Sequence, residues 1–130
     1  MKHLFVPYEL ALLAKEKEFD EECLMGFYGE NTFGKTKDAL FLPAGFGKYK
    51  NSRPQGHGSI SAPIYQQLID WFRNAHGLVI TVYCSPHGFS PDFDYLKEEL
   101  FKKPQPNTEL TTWDYYEALN KALEEAFKLI

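Results

Sequence analysis

The stretch 61–83 constrains the fold most, because it reads as a helix that leads directly into a strand. Ser61 is a typical helix N-cap, and Pro63 suits a first turn. Gly77 can adopt the left-handed conformation that ends a helix. Between them, apolar side chains recur at helical spacing: Ile64, Leu68, Trp71, Phe72 and Ala75. The pattern therefore predicts a helix from Ser61 to the residues just before Gly77.

The segment 78–84 follows at once and is rich in β-branched and aromatic residues. Both of its alternating sets are largely apolar, which is typical of a central strand covered on each face. We therefore expect four large side chains in the core, and we expect both cysteines, Cys23 and Cys84, to be buried thiols. The four predicted core residues are Trp71, Phe72, Ile80 and Val82.

Shorter patterns predict the remaining elements. Residues 8–17 contain strong helix formers, while 22–28 and 39–42 read as strands that pair in an antiparallel hairpin. Residues 85–91 read as a turn. Residues 92–101 fit a helix capped by Asp92, although their alternation also allows a short strand. Residues 111–130 predict a final helix with Thr111 as its cap and two i,i+4 ion pairs.

This order of elements, α-β-β-α-β-(α)-α, predicts an α+β fold with a small, mainly antiparallel sheet packed with helices. The 130 residues suit one globular domain over 1–130. The net charge of −4 argues against broad nucleic-acid binding. The sequence contains no apolar stretch of the ~18 residues that a membrane span needs. Its opening residues do not resemble a signal peptide, so a cytoplasmic location is expected.

The segment 43–60 is the least regular part of the chain and contains no acidic residue. Its glycines do not match a phosphate-binding loop, because Tyr49 follows Lys48 where Ser or Thr is required. Long loops in compact domains are often functional. Two interpretations stay open for this segment: an ordinary solubilising loop, or a binding surface for phosphate or an acidic partner formed by Lys48, Tyr49, Lys50, Arg53 and His57.

Catalytic patterns are weak. The histidines have no spacing typical of a metal site, and no Cys-x-x-Cys motif is present. An enzyme would have to gather His57, His76 or His87 with Cys84 or a carboxylate from distant loops. We therefore assign no catalytic residue, no metal ligand and no cofactor from the sequence.

Three blocks of the chain resemble a family of small prophage-encoded proteins of Bacteroides-type bacteria. They read FVPYELALLAKEKEFDEECLMGFY at the start, SAPIYQQLIDWFRNAHGLVI in the middle and TTWDYYEALNKALEEAFKLI at the end. Together they cover about half of the chain, and the segments 29–60 and 85–110 depart from the pattern. The resemblance implies a prophage-type accessory protein and supplies no catalytic residue.

The leading hypothesis is a non-enzymatic module that binds another protein or itself, with a homodimer as one form. The first alternative is a small enzyme with the loop site described above. The second is a weak nucleic-acid or phosphate binder acting through 45–60, whose affinity would fall steeply with salt.

Overall fold

The computed structural model describes residues 2–29, 39–42, 49–52, 58–109 and 111–130. Within them, three α-helices and two small antiparallel sheets confirm the α+β class. The chain divides into two compact units, Met1–Tyr65 and Gln66–Ile130, which are described separately below. The single domain over 1–130 stays a prediction.

The first unit contains helix α1, Tyr8–Glu16, which confirms the helix predicted at 8–17. Its C-terminal end is closed by two backbone hydrogen bonds. The Phe19 amide donates to the Ala14 carbonyl at 2.9 Å, and the Glu18 amide donates to the Lys15 carbonyl at 3.1 Å. This arrangement is a Schellman motif, which places the residue after the C-cap in the left-handed region. That residue is Glu18, with φ of 65°.

A three-stranded antiparallel sheet completes the first unit. Strand β1, Met25–Phe27, lies between β2, Leu40–Phe41, and β3, Ile60–Ala62. Pairing of β1 with β2 confirms the predicted hairpin neighbours.

The assignment of Ser61 as a helix N-cap is wrong, because Ser61 lies in β3 and pairs with Gly26. Its amide donates to Asn51 Oδ1 at 2.9 Å, and the residue is fully buried. The apolar neighbours Ile60 and Ala62 make this short stretch a buried strand, so the helix begins only at Tyr65.

The long helix predicted in the centre of the chain is shorter than expected and changes its winding. Helix α2 spans Tyr65–Trp71 and continues as a π-helix over Phe72–His76. Gly77 then adopts the left-handed conformation, with φ of 70°, as the sequence predicts. Trp71 and Phe72 are buried, which confirms them as core residues.

Strands β4, Leu78–Ser85, and β5, Gly88–Tyr95, form a two-stranded antiparallel hairpin in the second unit. The predicted central position of the first strand is therefore wrong among the described residues. Ile80 is buried as expected, but Val82 is only half-buried, and Cys84 is exposed rather than buried. The apolar composition misleads here, since Thr81, Tyr83 and Cys84 are exposed in the described structure.

The ambiguous segment 92–101 is a strand as far as Tyr95, so the helix capped by Asp92 is wrong. Cross-strand pairing outweighs helix propensity there, since each of these residues lies opposite one in β4. A short 3-10 helix, Glu98–Lys102, follows.

Helix α3, Tyr115–Lys128, packs against both strands of the hairpin. Its cap is Asp114 rather than Thr111, because the Asp114 carboxylate accepts from the amides of Tyr116 and Glu117. The predicted i,i+4 ion pairs are replaced by i,i+3 pairs: Lys121 with Glu124, and Glu125 with Lys128. Every helix in the described part of the chain is too short or too polar to cross a bilayer.

Candidate functional site

The predicted binding surface at 43–60 is described only in part. Tyr49 is buried, with 1% of its surface exposed, and exchanges two backbone hydrogen bonds with Cys23. Its hydroxyl lies 2.8 Å from Ser59 Oγ. The Tyr49 ring therefore belongs to the packing of the first unit, and Lys50 beside it is half-buried. Lys48, Arg53 and His57 lie outside the described residues, and their binding role stays a prediction.

The residues considered for catalysis are dispersed in the described part of the chain. His76 packs against the Trp71 ring at 4.6 Å, at the start of β4. Cys84 lies near the other end of that strand, about 20 Å from its first residue, Leu78, at the ~3.3 Å rise per residue of an extended chain. His87 is exposed in the hairpin turn next to Cys84, and no hydrogen bond connects the two. Among the described residues, no cluster of His, Cys, Asp and Glu could hold a metal ion.

The hydrogen-bond pattern of the hairpin shows which backbone groups of β4 face away from β5. The Leu96 amide donates to the Gly77 carbonyl at 2.7 Å, so these two residues form a hydrogen-bonded pair. Hydrogen-bonded pairs alternate along an antiparallel ladder. The odd-numbered residues of β4 therefore bond to β5, and the even-numbered residues direct their N–H and C=O groups to the other side. The outward-facing residues are Leu78, Ile80, Val82 and Cys84.

The two outer edges of this hairpin differ. On β5, Pro91 opposes Val82 at an outward-facing position and has no N–H to offer. Phe89, another outward-facing residue of β5, exchanges two backbone hydrogen bonds with Thr112. Proline and a covering segment are common means by which proteins protect a sheet edge from pairing with another chain.

In the described part of the chain, the outer edge of β4 has neither a proline nor a segment that pairs with its backbone. Its eight residues include no proline and no charged side chain, and among the described residues β4 bonds to β5 and to no other strand. A groove of about 350 Å³ runs along this edge. Its lining comes from four consecutive residues of β4, from α2 and the π-helix that follows it, and from the start of α3: Val79, Ile80, Thr81, Val82, Gln66, Ile69, Arg73, Tyr115 and Leu119.

The charge in this groove is balanced within the chain. The Arg73 guanidinium donates to Asp70 Oδ1 at 2.9 Å, and the Gln66 amide donates to the same oxygen. The groove therefore offers the outward-facing backbone groups of Ile80 and Val82 beside apolar, hydroxyl and amide side chains and the Arg73 ion pair. This chemistry suits an extended polypeptide, since added strands bind mainly through main-chain hydrogen bonds.

Sequence reasoning missed this edge because it took 85–91 as a turn and 78–84 as a central strand. The signal was present in Ser85-Pro86-His87-Gly88, a two-residue turn between two alternating runs. Gly88 has φ of 119°, and an added Cβ would lie 2.5 Å from the Thr112 carbonyl oxygen. Glycine is therefore required where the turn meets the segment that covers β5.

Comparison of the chain with protein-family models, curated proteins and solved structures finds no match.

Proposed function

We propose that this protein is a self-associating module in which two copies pair through the outer edges of their β4 strands. The observation that carries the proposal is the outer edge of β4, which is uncharged and proline-free over Leu78–Ser85 and pairs with no strand other than β5 among the described residues. The cytoplasmic location and the prophage-type accessory role implied by the resemblance are parts of the same proposal.

Charge supports a second copy as the occupant. The chain has a net charge of −4, so two copies repel each other unless they meet at a neutral surface. The exposed side chains of β5 include Asp92 and Asp94, which would bring carboxylates close together if β5 met itself. β4 itself brings no charged side chain to the contact, and Arg73 beside it is paired with Asp70. Two identical antiparallel strands can also satisfy each other's outward N–H and C=O groups by two-fold symmetry.

Sedimentation velocity over a range of chain concentrations tests the proposal, with Thr81→Lys as the edge variant. Thr81 is exposed near the middle of β4, so the substitution leaves the packed face of the hairpin intact. A lysine at this central position would bring like charges close together when two β4 edges pair, which is destabilising. We expect the dimer dissociation constant to rise about tenfold or more.

Thr108→Lys is the matched control. Thr108 is exposed in the segment between the 3-10 helix and α3. Its replacement by lysine changes the composition and net charge of the chain in the same way as Thr81→Lys. This variant should dimerise like the parent chain. A parent chain that stays monomeric throughout the concentration range, or equal weakening by the two lysines, would overturn the proposal.

A further inference from the structure

We infer that the two β4 strands meet about a two-fold axis at Thr81, with Ile80 of each copy opposite Val82 of the other. The inference rests on the proposed self-association and adds its register. It follows from the alternation of outward-facing groups along β4 together with the position of Pro86.

Alternation limits the registers that two antiparallel copies can adopt. Outward-facing residues of one strand must lie opposite outward-facing residues of the other, because only these can exchange hydrogen bonds. These residues are all even-numbered, so the midpoint between two paired positions is always a residue and never a peptide bond. The two-fold axis therefore passes through Ile80, Thr81 or Val82, or through a residue further from the centre of the strand.

The axis at Thr81 uses the edge most fully. It places Leu78 opposite Cys84 of the other copy and Ile80 opposite Val82, so all four outward-facing residues are paired. An axis at Val82 would place Leu78 opposite Pro86, which lies in the turn and has no N–H. An axis at Ile80 would leave Cys84 beyond the other strand, opposite His76 in the π-helix.

The exposed face of the hairpin favours the same register. With the axis at Thr81, the two threonines form a direct cross-strand pair, and each Tyr83 lies opposite Val79 of the other copy. Threonine pairs and aromatic–β-branched pairs are both favourable across strands. Tyr83 has 51% of its surface exposed in the single chain, and this contact would cover part of its ring.

Disulfide trapping tests the register. In a Cys84→Ser background, which removes the exposed thiol, Thr81→Cys places two cysteines at a non-hydrogen-bonded pair. Cα atoms at such a pair lie ~4.5 Å apart, within the range that a disulfide spans. Cys23 is buried and can stay. We expect mild oxidation to convert most of the Thr81→Cys chain into a covalent dimer.

Tyr83→Cys in the same background is the matched control, because its two cysteines would lie about 13 Å apart, at ~3.3 Å per residue. It should stay uncrosslinked alone and should crosslink when mixed with a Val79→Cys chain. With the axis at Val82, Tyr83→Cys would instead crosslink with Thr81→Cys.

The outcomes separate the register from the function. If the Cys84→Ser chain sediments as a dimer but Thr81→Cys does not crosslink, the register is overturned and the self-association stands. If the Cys84→Ser chain and the parent chain are both monomers at every concentration, both proposals fail.

Discussion

Glu18 occupies a backbone conformation that glycine adopts more readily, and replacing it should stabilise the protein. The residue has φ of 65° at the end of α1, where the Schellman motif requires the left-handed region. A residue with a Cβ atom pays about 1–2 kcal/mol there. Glycine avoids that cost but loses about 0.5–1 kcal/mol through its greater freedom in the unfolded chain. Glu18→Gly should therefore raise the free energy of unfolding by about 0.5–1 kcal/mol.

Urea unfolding followed by far-ultraviolet circular dichroism can resolve this change. With a slope of about 2 kcal/mol per molar urea, the midpoint should rise by about 0.25–0.5 M. The carboxylate makes no hydrogen bond to a described residue, so Glu18→Ala should leave the midpoint almost unchanged. Glu16→Gly, two residues earlier at the exposed last residue of α1, should lower stability by at most about 1 kcal/mol.

The contrast between the two glycine substitutions carries the test. The same chemical change should raise the urea midpoint at Glu18 and lower it at Glu16, because Glu18 has a positive φ and Glu16 does not. A lower midpoint for Glu18→Gly would refute the reasoning. Equal rises for Glu18→Gly and Glu18→Ala would show that the carboxylate, and not the backbone, opposes folding.

Three further predictions follow from buried polar atoms, strand alternation and ion pairing. Ser61 Oγ is buried with no hydrogen-bond partner among the described residues. Ser61→Ala should therefore raise the free energy of unfolding by about 1 kcal/mol in thermal or urea unfolding. A lower free energy of unfolding would mean that the hydroxyl makes a hydrogen bond. Val82→Pro removes an outward-facing N–H that does not bond to β5, so at concentrations where the chain is monomeric it should unfold at nearly the parent urea concentration. Thr81→Pro removes a donor to β5 and should cost about 1–3 kcal/mol, so equal effects of the two prolines would contradict the assigned alternation. The hydrogen bond from Lys128 holds the pKa of Glu125 below its ordinary value. Its contribution to stability is present above the unfolded-state pKa and is lost as pH falls through the folded-state pKa, so Glu125→Gln should lower the unfolding midpoint at neutral pH and match the parent chain in strong acid.

Local signals predicted the elements that are specified by their own residues. The helix at 8–17 and the helix end at Gly77 follow from propensity and capping, and the structure confirms both. The start of the central helix could not be predicted from local signals. Ser61 and Pro63 match the residue preferences of a helix start, yet Ser61 lies in a buried strand and the helix begins at Tyr65. What makes Ser61 a strand residue is its pairing with Gly26, 35 positions earlier in the chain, and no local pattern reports such a contact.

The candidate site was harder to predict than the fold, because it depends on which strand lies beside β4. An apolar composition on both faces normally indicates a central strand, yet β4 is half of a hairpin among the described residues. If two copies pair as proposed, the same composition regains its usual meaning, since β4 would then lie inside a four-stranded sheet. The sequence pattern and the proposed self-association thus describe the same property of β4.

The positions of the two tryptophans give the second unit a spectroscopic signal of its own. Trp71 is buried and Trp113 is 76% exposed, and both lie in the unit Gln66–Ile130. Indole emission therefore follows the second unit alone, and a water-soluble quencher should reach Trp113 and spare Trp71. Circular dichroism follows the helices of both units. Unfolding curves that coincide by the two methods would mean that 1–130 melts as one cooperative domain, and separated curves would mean that each half keeps its own stability.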